Sequence, residues 1–157
     1  MIKIKIVCVG KIKDAYLNQG ISEFVKRLNG YCNLEIVEVK DEKIVANTSE
    51  EKILEIEGNR ILEKVNDKDY MILLDLRGKQ FSSEEFAEKL DSLISSGVGN
   101  YAFVIGGSLG QSENVRKRAN LLISFSRLTF THQMIRLLLL EQIYRGFKIN
   151  NNETYHK

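Results

Sequence analysis

Hydrophobic and polar positions alternate with period two over Ile2 to Val9, Leu34 to Val39, Tyr70 to Leu76, Tyr101 to Ile105 and Leu121 to Ser126, which predicts five strands. Helical spacing fills the gaps. Leu17, Ile21, Phe24, Val25 and Leu28 fall on one face of a helix. Thr48 with Glu51, and Ser82 with Glu85, carry the capping-box spacing that opens two more, the latter burying Phe86, Ala87, Leu90, Leu93 and Ile94. A last helix is expected from about Thr131 to Ile149. It is apolar nearly all round, which predicts burial on more than one side and a share in a homodimer interface, with Leu139 as an outward position. Strands alternating with helices imply an α/β fold with a parallel sheet covered on both faces. Proline is absent, so turns must use glycine, asparagine and aspartate.

At 157 residues, the chain is expected to form one domain that buries enough apolar surface to need no staple. The opening Met1-Ile2-Lys3-Ile4-Lys5-Ile6 has lysines where a secretory signal would be unbroken, so none is expected, and no later run is long enough to span a bilayer. Cys8 and Cys32 stand apart from any metal-ligand spacing, which predicts two buried or neutral thiols in a reducing cytoplasm and no metal. Charge is unevenly placed: residues 1–100 hold 15 Lys and Arg against 18 Asp and Glu, while residues 101–157 hold 8 against 3. That asymmetry favours an acidic partner such as nucleic acid for the second half, against the plainer reading of a solvated face.

In an open parallel sheet ligands bind beyond the carboxyl ends of the strands. Three loops qualify: Asp75-Leu76-Arg77-Gly78-Lys79, Gly106-Gly107-Ser108-Leu109-Gly110, and Phe125-Ser126-Arg127-Leu128-Thr129-Phe130. The glycine loop allows close backbone approach, but it has neither dinucleotide-fold nor P-loop spacing, so on spacing alone a tight turn without a ligand is the preferred reading.

Several stretches go further: Val9-Gly10-Lys11, Glu57-Gly58-Asn59-Arg60-Ile61-Leu62, Phe103-Val104-Ile105-Gly106-Gly107, Leu122-Ile123-Ser124-Phe125-Ser126, Thr129-Phe130-Thr131-His132-Gln133, Glu141-Gln142-Ile143-Tyr144-Arg145 and Tyr155-His156-Lys157. In these the chain resembles the RlmH family of SPOUT methyltransferases along its whole length. The resemblance implies a single SPOUT domain over residues 1–157, with a trefoil knot in roughly its C-terminal half. It implies S-adenosyl-L-methionine as cofactor, bound by Leu74, Gly106, Phe125, Ser126, Arg127, Leu128, Thr129 and Phe130. Leu74, Leu128 and Phe130 can pack on adenine while backbone groups read its edge, and Phe125 is expected to point into the core. Tyr155, His156 and Lys157, which would ordinarily fray, are implied at the acceptor half of a site drawn from both subunits of a homodimer, with Arg136 and Arg127 as candidate phosphate partners. The family has proline where this chain has Thr131, whose hydroxyl can cap the last helix instead. His132 is read as a structural or capping histidine, and Glu141 as the partner of a nearby arginine. For Arg116-Lys117-Arg118, a solubilising surface and RNA contact stand level.

The implied reaction is cytoplasmic methylation of N3 of a pseudouridine in large-subunit ribosomal RNA. Two other readings are a non-catalytic RNA-binding ribosome-assembly protein and a flavodoxin-like cofactor protein.

Overall fold

The computed structural model describes residues 1–157. Five strands form one sheet: β1 (Lys3–Val9), β2 (Asn33–Val39), β3 (Tyr70–Gln80), β4 (Asn100–Ile105) and β5 (Leu121–Ser124), in the order β2-β1-β4-β3-β5 with every pairing parallel. The alternation along the central strands sorts side chains to two faces. Ile4, Ile6, Cys8, Ile72, Tyr101, Phe103 and Ile105 join the larger core. Val7, Val9, Met71, Leu73, Ala102 and Val104 join a smaller one. Helices α1 (Ala15–Leu28), α3 (Ser83–Ser95) and α5 (His132–Asn150) cover the first face, and α2 (Glu50–Leu62) with α4 (Glu113–Arg118) covers the second. Lys5, inside β1, reaches past the apolar face to the carbonyl of Lys64 at 2.8 Å and to Asp69 at 3.5 Å.

The helix starts follow their caps. Ser82 and Glu85 complete the expected reciprocal box on α3. On α2 the cap falls one residue later than the spacing suggested: Ser49, not Thr48, accepts from Lys52 N at 3.2 Å, and the lysine cannot return the bond. Thr131 caps α5 by accepting from Met134 N at 3.2 Å through its hydroxyl, as expected.

The end of β3 departs most from a plain sheet. The strand pairs with β5 as far as Leu74↔Ile123, leaves it, and pairs again at Lys79↔Ile123. Between these points Gly78 lies on the backbone of β5, where an added Cβ would stand 2.6 Å from Ile123 N and C. Only a residue without a side chain fits that crossing.

Helix α5 is lodged between α1 and α3. Leu139, expected to face outward, is 0% exposed and belongs to the core, because the neighbouring helices cover more of α5 than its period suggested. Leu138 is partly exposed and outside the core cluster. Nor does the tail fray. It folds back along α5, with Tyr155 edge-on to Tyr144 at 4.9 Å, beneath the Arg145 guanidinium at 4.9 Å, and donating to Glu141 at 3.0 Å. Glu153 closes the return by accepting from Tyr31 at 2.7 Å and Lys148 at 3.0 Å.

Candidate active site

Because all five strands point the same way, the part of β3 past Leu74 and the loops after β4 and β5 gather at one end of the sheet with the start of α5. There they enclose a cavity of about 870 Å³. Seven of the eight residues expected at a cofactor line it: Leu74, Gly106, Phe125, Ser126, Leu128, Thr129 and Phe130. Arg127 sits on the same loop, exposed, without lining the cavity. Phe125 packs partly on the larger core, as expected, and so presents chiefly backbone.

Local hydrogen bonds hold the walls. Ser124 donates from Oγ to the carbonyl of Ser126 at 3.0 Å, and the Ser126 Oγ accepts from Leu128 N at 3.0 Å, setting a serine-closed turn before α5. The glycine loop folds on itself through a Gly107–Gly110 bridge, with Gly110 at φ +98°. Gln111 then lies over Gly106 and donates from Nε2 to the carbonyl of Leu74 at 3.3 Å, tying the second loop to the first. A Cβ on Gly106 would stand 2.5 Å from the Gly110 carbonyl, so the loop itself forbids a side chain there. Asp75 anchors the short α4 through Arg116 at 2.6 Å.

The rim is apolar. Leu128 is 73% exposed, Leu76 63% and Phe130 40%, three of the few large hydrophobic side chains left open to solvent. Two of these three were expected; Leu76 was not, although its loop was recognised. Gln111 and Ile135 are further wall residues that no sequence signal marked, and the pairing of Asp75 with Arg116 joins a recognised loop to the basic cluster in a way the sequence did not show. Behind the glycine loop, Glu57 is 6% exposed and accepts from Glu42 N at 3.0 Å; burial pushes its carboxyl above the usual range. His132 also lines the cavity, with Nδ1 buried and unpartnered. Burial first, and the charge of Arg136 second, push it below the ordinary histidine value, so it is neutral at neutral pH, in keeping with a structural role.

The remaining expected residues lie elsewhere. Arg136 is corrected: it is 3% exposed, paired with Glu38 at 2.6 Å and bonded to the carbonyl of Gly10 at 3.0 Å, so it cannot hold an RNA phosphate. Its partners come from β1 and β2, distant in sequence, and only folding brought them together. Arg116 and Arg118 are likewise engaged, the second with the carbonyls of Asn66 and Asp69 at 2.9 and 3.0 Å, which leaves Lys117 as the open member of that cluster. Glu141 does pair with an arginine, Arg145, through two bonds of 3.2 and 2.8 Å.

Tyr155, His156 and Lys157 do not touch the cavity of their own chain. Tyr155 meets α5 at Glu141, nine residues and about 14 Å along the helix from His132. His156 receives Arg145 Nη1 on Nδ1 at 3.1 Å, and since guanidinium can only donate, Nε2 is left to donate to Glu84 at 2.6 Å. Both ring nitrogens are thus in use.

A parallel sheet with this crossing, and a cavity walled by the far part of β3 and the loops after β4 and β5, define the class of protein. The family profile described as "Predicted SPOUT methyltransferase" matches residues 2–156, and the chain belongs to that family. Among its relatives, the "Ribosomal RNA large subunit methyltransferase H" of Enterococcus faecalis is 54% identical over 99% of both chains. That of Bacillus cytotoxicus, under the same name, is 53% identical over 98% of this chain and 99% of its own. Of solved structures, a probable methylase family protein from Haemophilus influenzae aligns with TM-score 0.55 at 14% identity, over 98% of this chain and 70% of that one. The tRNA (m1G37) methyltransferase of Aquifex aeolicus aligns with TM-score 0.55 at 12% identity, over 91% and 69%. At such identities the likeness is one of fold.

Proposed function

We propose that this methyltransferase modifies large-subunit ribosomal RNA in the cytoplasm, transferring a methyl group from S-adenosyl-L-methionine to N3 of a pseudouridine. The observation that carries the reading is the cavity's apolar rim. Leu76, Leu128 and Phe130 stand open around a space lined with both apolar and polar residues, which suits a flat, weakly polar ring with hydrogen-bonding edges. When bound there, S-adenosyl-L-methionine supplies a methyl group already activated on a sulfonium. Leu74, Leu128 and Phe130 would hold its adenine, and the backbone of Gly106 and of the 125–130 loop would read the polar edges. The same side chains exclude water from the reacting end, and positioning supplies most of the acceleration.

The acceptor half comes from a second copy. The chain's own tail is seated along α5, so we assign Tyr155, His156 and Lys157 to the pocket of the partner in a homodimer. Tyr155 offers a face for the target base, and Lys157 a charge for the strand. N3 must lose its imide proton, and His156 can accept it once Nδ1 is released from Arg145. We also assign the whole of residues 1–157 to one domain knotted in its C-terminal half; the close crossing at Gly78 is what supports the knot.

Deleting Tyr155, His156 and Lys157 tests the division. The contacts with Tyr144, Glu141 and Arg145 go with them, so stability should fall by about 1–3 kcal/mol. Calorimetric titration should show donor affinity near wild type, while mass mapping of ribosomal RNA from a complemented deletion strain shows no methylation. Full methylation by the truncated protein would remove the acceptor assignment. A wild-type protein that binds the donor and leaves ribosomal RNA unmodified would refute the function.

A further inference from the structure

Of the eight cations in residues 101–157, five are held by carboxylates or carbonyls of the chain: Arg116, Arg118, Arg136, Arg145 and Lys148. The basic excess of the second half is therefore largely spent on the fold. Charge left open to solvent gathers elsewhere. Lys11 and Lys13 follow β1, Lys40 and Lys43 follow β2, Arg77 lies in the irregular part of β3 between Leu74 and Lys79, and Arg127 follows β5. All six are exposed, and none makes an ion pair or hydrogen bond through its side chain.

Parallel strands put these loops at one end of the sheet, the end that holds the cavity. The first two loops touch: Gly10 N donates to the carbonyl of Val39 at 2.8 Å, and Gly10 lies between Asp41 and the cavity-lining His132. Apart from Glu57, which is buried behind the glycine loop, the unpaired carboxylates at this end are Asp14, Asp41, Glu50 and Glu51. Asp14 is the N-cap of α1, and the two glutamates fill the first turn of α2, where the helix dipoles offset part of their charge. The other nearby acids, Glu38, Glu42 and Asp75, are neutralised by Arg136, Arg60 and Arg116. On the same two loops and the start of α1, Tyr16 is 64% exposed, Ile44 65% and Val45 51%. Open lysines interleaved with exposed apolar side chains suit a strand of phosphates whose sugars and bases need cover.

Building on the ribosomal RNA reading, the geometry points to Lys11, Lys13, Lys40 and Lys43 as an RNA-docking shelf beside the cavity. The shelf binds the backbone of the substrate RNA flanking the target nucleotide. It adds affinity and register without touching the reacting atoms.

The test is the full-length Lys11→Gln/Lys13→Gln/Lys40→Gln/Lys43→Gln variant, assayed with unmodified ribosomes across a salt series. Neutralising four phosphate contacts should flatten the log–log salt dependence of KM by about 3 and raise KM on the order of 100-fold at low salt. The rate at saturation and calorimetric donor affinity should stay at wild-type values, as should sedimentation. Lys64→Gln/Lys68→Gln, at the other end of the sheet, should match wild type throughout. An unchanged KM and salt slope overturns the shelf while leaving the ribosomal RNA reading intact. A raised KM with an unchanged slope also overturns it, since the lost contact would not be to phosphate. Altered sedimentation would place the patch between copies of the chain instead. If the wild type itself fails to methylate the ribosomes, the function falls first.

Discussion

Gly78→Ala adds one methyl group at the point where β3 crosses β5. The new carbon would lie 2.6 Å from Ile123 N and C and from Leu122 C, whereas non-bonded carbons rest at about 3.5–4.0 Å. The two segments must part by about an ångström. Neither is free to do so: Ile123 pairs with both Leu74 and Lys79 and is 3% exposed. Overpacking against atoms that cannot yield belongs at the upper end of the usual range, about 3 kcal/mol. Loss of glycine's freedom in the unfolded chain returns about 0.7 kcal/mol, leaving a net loss of about 2 kcal/mol. With a urea slope of about 2 kcal/mol/M, the unfolding midpoint should fall by about 1 M. Gly30→Ala is the control, because nothing lies within 4 Å of its added Cβ; its midpoint should hold or rise slightly. Equal midpoints for the two variants would show that the crossing is not the tight point described.

Gly106→Ala should shift the glycine loop off the Gly110 carbonyl and break the Gln111–Leu74 tie, lowering donor affinity more than about tenfold by calorimetry and lowering the melting temperature as well, while the protein still folds. Glu57→Gln should stabilise the protein at pH 7.5 and not at pH 4. The raised carboxyl of Glu57 makes the folded state hold its proton better between the ordinary value and the raised one, so stability declines as pH climbs through that window; glutamine keeps the bond to Glu42 N without the buried charge. Thermal melts at the two pH values check the sign. Leu138→Glu should yield a folded monomer by sedimentation, whereas Leu139→Glu, at a position 0% exposed, should fail to fold because its charge is buried unpaired. A stable dimer of the Leu138 variant would move the interface elsewhere.

The strands, the helices and the three strand-end loops were readable from sequence because each rests on local physics, whereas the particular residues expected at a cofactor came from the family resemblance. A period of two or 3.6 marks which positions are buried, and a serine or threonine oxygen marks where a helix begins. Parallel order then brings the strand-end loops together, so Leu74, Gly106 and the 125–130 loop meet without further instruction. What only the tertiary structure decided concerns pairs distant in the chain. Arg136 reads as an open cation until Glu38 on β2 and Gly10 just after β1 close around it. Leu139 reads as an outward position until α1 and α3 flank α5. The tail reads as frayed until Tyr144, Glu141 and Arg145 line up to receive it. Periodicity records whether a position is covered, not by which partner. The partners of a charge, a tail or a crossing strand are set by packing across the fold, and that is where Gly78 acquires its role.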